Sequence, residues 1–278
     1  MKVKYINSIN QEVDFIQANM LPVSGYFHER KWNTSTENNV TVLEVNDCNY
    51  TITLQLRGKL EDRKKMMDTL CDIFDYDCSV NVPGTLYYGD YKIKCFIITS
   101  NSSVASINTR NNVEIGIYCP KQEWIKEKNY SLLMFNDERN ENHTKKYTYS
   151  YPFIYSNQKG TIQVTNDSLI DSDFILRIYG ACANPFVKIG NIVYQVNATL
   201  TNDEYLEIDT KERTIFSYSK YGEKRNLYPF RSKDRANFFT KISNGANQVA
   251  WNGTFRAELI IFEKRGAVSY THLTLPTT

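Results

Sequence analysis

Apolar and polar residues alternate with period two in several stretches, the mark of strands with one face buried and one wet. Tyr50, Ile52, Leu54 and Leu56 fall on one face, and Thr51, Thr53 and Gln55 on the other. Val113, Ile115, Ile117 and Cys119 repeat the pattern, and Tyr91–Thr99 predicts a further strand. The period changes once. Leu60, Met66, Met67, Leu70, Ile73 and Phe74 fall close to helical spacing, which predicts a helix over about residues 60–74. Glu61 and Asp62 lie in its first turn, where the helix dipole favours acids. The stretch Asp75–Gly84 is expected to end it, with Pro83-Gly84 as a turn.

Residues 1–125 therefore read as a β-rich domain with one inserted helix. Residues 126–147 are polar, charged and Asn-rich, and predict a linker. In residues 148–265 short strands alternate with turn signals. The strands expected are Gly160–Thr165, Phe174–Gly180, Phe186–Ile189, Ile192–Leu200, Tyr205–Ile208, Thr214–Ser219, Gln248–Asn252 and Thr254–Phe262. Gly190-Asn191 and Asn252-Gly253 predict two-residue hairpin turns. Strands at this spacing, with no helical period between them, predict a β-sandwich. The fold class is mainly β.

Composition supports this picture. Aromatics are 13% of the 278 residues, and 20 of them are tyrosines, which suit a pleated, half-buried surface. The net charge of +2 gives neither half the positive field that phosphate backbones require, so nucleic acid is not expected as a partner. The densest basic stretch (Lys220, Lys224, Arg225, Arg231, Lys233, Arg235) reads as a solvated loop face. The six cysteines form no CxxC pair, and only His28 and His143 precede the last twelve residues. No metal site is expected, and the cysteines are expected to be reduced thiols. No apolar run is long enough for a membrane span, and Lys2, Lys4, Glu12 and Asp14 interrupt the opening residues, so neither a membrane segment nor a signal peptide is expected.

No nucleotide-binding, metalloprotease or nucleophile-elbow motif occurs, and no catalytic or cofactor-binding residue is assigned. The sharpest acidic cluster is Asp203, Glu204, Glu207 and Asp209. Paired carboxylates serve glycoside hydrolysis. Here, however, Leu206 and Ile208 are expected to point inward and leave Glu207 and Asp209 facing water. Trp32, Trp124 and Trp251 are candidate sugar-stacking platforms against the commoner role of packing; Trp251, in a strand leading to a turn, is the candidate retained.

The order of these pieces resembles the siphovirus-type phage distal tail protein family over nearly the whole chain, to about Arg265. The opening Asn7-Ser8-Ile9-Asn10-Gln11-Glu12-Val13-Asp14-Phe15 is similar to the family's start, with Asn10 where glycine is common. Leu54-Gln55-Leu56-Arg57-Gly58 before the helix, and Val113–Pro120 leading to Trp124, are similar to its first domain. Gly180-Ala181-Cys182-Ala183-Asn184-Pro185, Ile189–Tyr194, Leu206–Thr210 and Gly245–Trp251 resemble the succession of its galectin-like β-sandwich. The resemblance implies a non-catalytic structural hub, made in the cytoplasm of the bacterial host and ending in the virion tail. Its first domain would build a homo-oligomeric ring, usually a hexamer, stacked on the tail tube protein near the tape-measure protein. Its second would dock baseplate, tail-lysin or fibre proteins. The alternative reading is a carbohydrate-binding module for host-surface recognition, using the sandwich and Trp251; a third is a glycoside hydrolase using the 203–209 acids.

The last twelve residues, Ala267–Thr278, read AVSYTHLTLPTT. This string resembles a translated sequencing adapter. It is expected to be foreign to the fold and is set aside, His272 included.

Overall fold

The computed structural model describes residues 2–25, 27, 32–37, 40–45, 47–106, 110–134, 161–233 and 237–268. The chain divides into two units, Met1–Lys126 with Lys264–Thr278, and Glu127–Glu263.

The first unit holds β1 (Val3–Ile6), β2 (Glu12–Asp14), β3 (Met20–Gly25), β4 (Trp32–Glu37), β5 (Val40–Val45), β6 (Cys48–Arg57), α1 (Leu60–Val80), β7 (Gly84–Tyr88), β8 (Tyr91–Ser106), β9 (Arg110–Cys119) and the start of β10 (Trp124–Leu132). One run of antiparallel pairs is β2-β1-β7-β8 and another is β3-β6-β9-β8. The long strand β8 therefore serves both. Tyr91–Cys95 pairs with β7, and Phe96 onward pairs with β9. At the handover the register slips between Ile97 and Thr99, and Ile98 turns out to 53% exposure. A bulge of this kind bends a strand enough to leave one sheet and join another. Thr99 lies opposite Gly116, where a Cβ would overlap the Thr99 hydroxyl, so any larger residue there requires that hydroxyl to turn away.

The alternating residues of β6 and β9 are buried as the pattern requires. Leu70, Ile73 and Phe74 of α1 join the same core. Phe27 meets Tyr50, Tyr88 and Trp124 edge to face, with ring centres 4.9–5.3 Å apart. The Tyr50 hydroxyl accepts from Gln122 Nε2 at 3.0 Å and from Trp124 Nε1 at 3.3 Å.

Helix α1 runs to Val80, six residues past the expected end. Its last buried side chain is Asp77, an acid, so the apolar period stops before the helix does. Asn81 then takes the left-handed conformation, and its N–H reaches back to the carbonyls of Asp77 and Cys78. Gly84, expected in a turn, begins β7 instead.

The second unit holds β11 (Thr161–Asn166), β12 (Asp173–Tyr179), β13 (Cys182–Ala183), β14 (Phe186–Ile189), β15 (Ile192–Gln195), β16 (Thr199–Leu200), β17 (Glu204–Asp209), β18 (Thr214–Ser219), β19 (Lys224–Asn226), β20 (Gly245–Trp251) and most of β21 (Arg256–Arg265). One sheet has the order β19-β18-β17-β12-β21 and the other β11-β20-β14-β15, all antiparallel. Phe174, Leu176, Leu206, Ile208 and Leu259 of the first sheet share one core with Val164, Val187, Tyr194 and Val249 of the second. The unit is a β-sandwich, as the strand spacing predicts.

One expected hairpin forms, and two other expectations change. Gly190-Asn191 closes the β14–β15 hairpin, with Gly190 at φ +56° and Ile189 opposite Ile192. Asn252-Gly253 closes none: β20 pairs with β11 and β14, and β21 with β12, so this turn carries the chain from one sheet to the other. Trp251 and Phe255, on either side, are both core residues, which favours a crossing of the sandwich over a return along it. The linker expected at 126–147 does not begin at 126, because β10 continues to Leu132, which is fully buried in the second unit's core; residues 135–147 lie outside the described residues. Of the terminal string, Val268 packs in the first unit, and its N–H donates to the Phe27 carbonyl at 3.3 Å. Residues 269–278 lie outside the described residues.

Burial holds three phenols protonated. Tyr5, Tyr50 and Tyr194 are each pushed well above the usual tyrosine value, all three by burial first; the Asp77 hydrogen bond adds to the rise at Tyr5 and the Cys48 contact at Tyr50. The folded-state values lie above the unfolded ones. The stability they carry is therefore complete below about pH 10 and is lost as pH rises beyond it, at up to about 1.4 kcal/mol per pH unit for each group. Urea titrations at about pH 9, 10 and 11 should show falling unfolding free energy across the upper interval. A flat or rising value there would contradict this assignment.

Candidate docking site

Strand β11 ends at Asn166 and β12 begins at Asp173, and the six residues between them form a loop fixed from below. The Asn166 side chain is fully buried and uses all of its hydrogen-bonding capacity. Its oxygen accepts from the Ser168 N–H at 3.1 Å and the Ser172 hydroxyl at 3.0 Å. Its nitrogen donates to the carbonyls of Ile170 and Ile242, both at 3.2 Å, and of Ser243 at 3.3 Å. Asn244 donates to the Ser168 carbonyl, and Ser172 and Ile242 exchange backbone bonds at 2.9 Å.

A second anchor is ionic. Glu263 is 3% exposed; its carboxylate accepts from the Asp167 N–H at 2.7 Å and from Lys128 Nζ at 2.8 Å. Lys128 also pairs with the Asp167 carboxylate. Burial pulls the Lys128 ammonium down, but the hydrogen bonds to Asp167 and Glu263 outweigh it, and the net shift is upward.

This scaffold presents two aliphatic side chains to water. Leu169 is 94% exposed and Ile170 59%. A single exposed leucine is ordinary. Two adjacent ones on a loop with so many fixed contacts are different, because the ordering cost of binding through them has already been met in folding.

The residues singled out from sequence are not brought together. Trp251 is 6% exposed and belongs to the sandwich core, whereas a sugar platform needs an open ring face. Trp124 is fully buried in the first unit, and Trp32 is 43% exposed on β4. The four acids serve local structure. Asp203 pairs with Lys220 at 3.0 Å, Glu204 accepts from the Thr201 N–H at 3.0 Å, Glu207 pairs with Arg177 at 2.8 Å, and Asp209 accepts from the N–H groups of Lys211 and Glu212. Leu206 and Ile208 point inward, so Glu207 and Asp209 lie on the outer face of β17, each held by the local contact just named. The basic stretch is equally occupied. Lys224 lies 3.7 Å from the Phe216 ring centre, Arg225 donates to the Ser217 hydroxyl, and Arg231 covers the Tyr228 ring at 3.9 Å. Arg235, His28 and His143 lie outside the described residues. Among the described residues no group of His, Cys, Asp and Glu is placed to hold a metal ion, and no helix is long and apolar enough to cross a membrane.

No protein-family model and no curated protein matches the chain. Solved structures do. The SPP1 Dit protein, described as a paradigm of the hub adsorption apparatus in phages infecting Gram-positive hosts, superposes with a TM-score of 0.56 over 95% of this chain and 99% of that one, at 8% identity. The chain has the Dit fold. Chains of the phage P2 baseplate in its activated conformation agree: the calcium form gives a TM-score of 0.54 at 15% identity and the strontium form 0.52 at 14%, each over 96% of this chain and 99% of the other. The Dit fold thus accounts for both units in one chain and in the order found here.

Sequence reasoning missed Asn166, Leu169, Ile170, Lys128 and Glu263. A signal was present. Leu169-Ile170 is an apolar pair enclosed by the turn formers Asn166-Asp167-Ser168 and Asp171-Ser172.

Proposed function

We propose that the chain is a structural hub of a phage or prophage tail tip, a ring of several copies that joins the tail tube to baseplate or fibre proteins, and that it carries no enzymatic activity. The observation that carries this reading is the end-to-end Dit fold, which leaves almost none of either chain unmatched. Two further features support it. In the first unit, β4 and β5 pair only with each other among the described residues. A two-stranded hairpin is marginal in water unless something covers it, and the next copy in a ring supplies a cover. In the second unit, Leu169 and Ile170 supply a rigid anchor for a baseplate or fibre protein.

Gold-labelled antibody against the chain should mark the distal end of tails on particles released by the bacterium that carries the gene. Label along the tail shaft, or none on intact particles, would overturn the reading. Leu169→Ser with Ile170→Ser should leave the melting temperature within a degree or so and weaken docking of the tip complex by roughly tenfold or more, because burying each side chain contributes about 1.5–3 kcal/mol. Unchanged co-assembly would remove the loop from the interface.

A further inference from the structure

Three thiols lie abreast in the first unit's core. Cys48 on β6 is the register partner of Cys119 on β9. Cys95 on β8 adjoins Phe96, which is opposite Tyr118, so it falls beside Cys119 on the other side. The strand register thus sets Cys119 between the other two. Cys95 and Cys119 are fully buried and Cys48 is partly exposed, and all six cysteines are free. Opposed residues in an antiparallel pair have Cα atoms about 4.5–5.5 Å apart. That lies inside the roughly 4.4–6.8 Å a disulfide spans, so closure asks only a small approach of the two Cβ atoms. The two side chains already share a face, since Cys119 belongs to the core and Cys48 packs against it.

We propose that Cys48 and Cys119 are a latent cross-strand dithiol, which closes to a disulfide between β6 and β9 when a small-molecule disulfide replaces a reducing thiol pool. Cys48 is the point of entry because it is the member of the trio with solvent contact. Its sulfur attacks the reagent, RSSR. The reagent's S–S bond breaks, Cys48–S–S–R forms, and the first RS⁻ takes up the proton Cys48 lost. Cys119 then attacks the Cys48 sulfur and forms the intramolecular bond; the second RS⁻ leaves and is protonated. Two electrons pass from the protein thiols to the reagent, and one RSSR becomes two RSH. Cys95 has no such route, since its only thiol neighbour in the trio is itself buried.

The environment makes the pair slow, not inert. Both thiols are raised above the usual cysteine value: Cys48 by Cys119 and by burial, and Cys119, which Cys48 pulls down, by Cys95 and burial, which together outweigh that pull. The attacking species is the thiolate. Closure should therefore accelerate by nearly tenfold for each pH unit while the pH stays below the thiol value.

The test uses the full chain, native, incubated with oxidised glutathione at about pH 7, 8 and 9, then acid-quenched, alkylated and mapped by mass spectrometry. Exposed Cys78 reports that the reagent is active by forming a mixed disulfide. The proposal expects a loss of two hydrogens located in a Cys48–Cys119 peptide pair, with the pH dependence stated. It expects Cys119→Ser to trap glutathione on Cys48, and Cys48→Ser to leave Cys119 and Cys95 unmodified. Reaction at Cys78 with Cys48 and Cys119 both still free at about pH 9 would overturn it, as would a bond mapped to Cys95–Cys119. The wild-type map decides the matter even where a serine variant folds poorly.

Discussion

Replacing Asp77 with alanine is expected to destabilise the first unit by about 3–5 kcal/mol, because a buried carboxylate that satisfies several donors leaves them stranded when it is removed. Asp77 is fully buried at the end of α1. It accepts from the Tyr5 hydroxyl at 2.5 Å, the Ser8 N–H at 2.8 Å and the Ser8 hydroxyl at 2.6 Å, and so ties α1 to β1 and the turn after it. The packing around this junction admits no substitute group. Any Cβ at Gly84 would overlap the Tyr5 hydroxyl and the Asp77 carboxylate. Gly84→Ala should therefore be destabilising as well, and less so in a Tyr5→Phe background, where part of the obstruction is gone. Hydrogen exchange is the suitable readout, since it separates the units: protection in β6 and β9 should fall while that in β12 and β17 holds. A loss below about 1 kcal/mol for Asp77→Ala would mean that the junction is not a structural tie.

Lys128→Met is expected to have an effect of similar size in the second unit, about 3–5 kcal/mol, by leaving Glu263 as a buried charge with no cation. Glu263 is 3% exposed and Lys128 is its ion-pair partner at 2.8 Å. The second consequence is local. Glu263 also accepts from the Asp167 N–H, so the loop that carries Leu169 and Ile170 should loosen, and exchange of its amides should rise before that of β12. Glu263→Gln in the same chain should recover most of the loss, because the neutral amide removes the stranded charge. Urea denaturation of the single and double variants checks both statements. A double variant no better than Lys128→Met alone would contradict the charge argument.

What the sequence discloses follows from where apolar residues are counted. Strands β6, β9, β14 and β17 were legible because their buried faces are unbroken apolar rows, of Tyr, Ile, Leu, Val and, at the end of β9, Cys119. Strand β10 was not, since its interior runs Ile125-Lys126-Glu127-Lys128-Asn129-Tyr130-Ser131 and only its ends, Trp124 and Leu132, are buried. Strand β7 shows no alternation, because Gly84, Thr85, Leu86 and Tyr88 are all buried, and it opens on a Gly that otherwise signals a turn. The docking loop escaped for a different reason. Its definition lies in side-chain bonds from Asn166 to Ile242 and Ser243, residues far along the chain that only folding brings near. The acids at 203–209 behaved as period-two placement requires. For Trp251, weighed between packing and sugar stacking, the deciding fact lies beyond its own strand: the turn after it crosses the sandwich and the ring is buried in the core.

The hub reading rests on copies of this chain closing on one another. Sedimentation velocity with negative-stain imaging of the purified chain, across a concentration series, tests that directly. The account predicts closed rings of several copies, six being the number expected, that persist on dilution into the low micromolar range. A chain that sediments as a monomer at every concentration and shows no ring would contradict it.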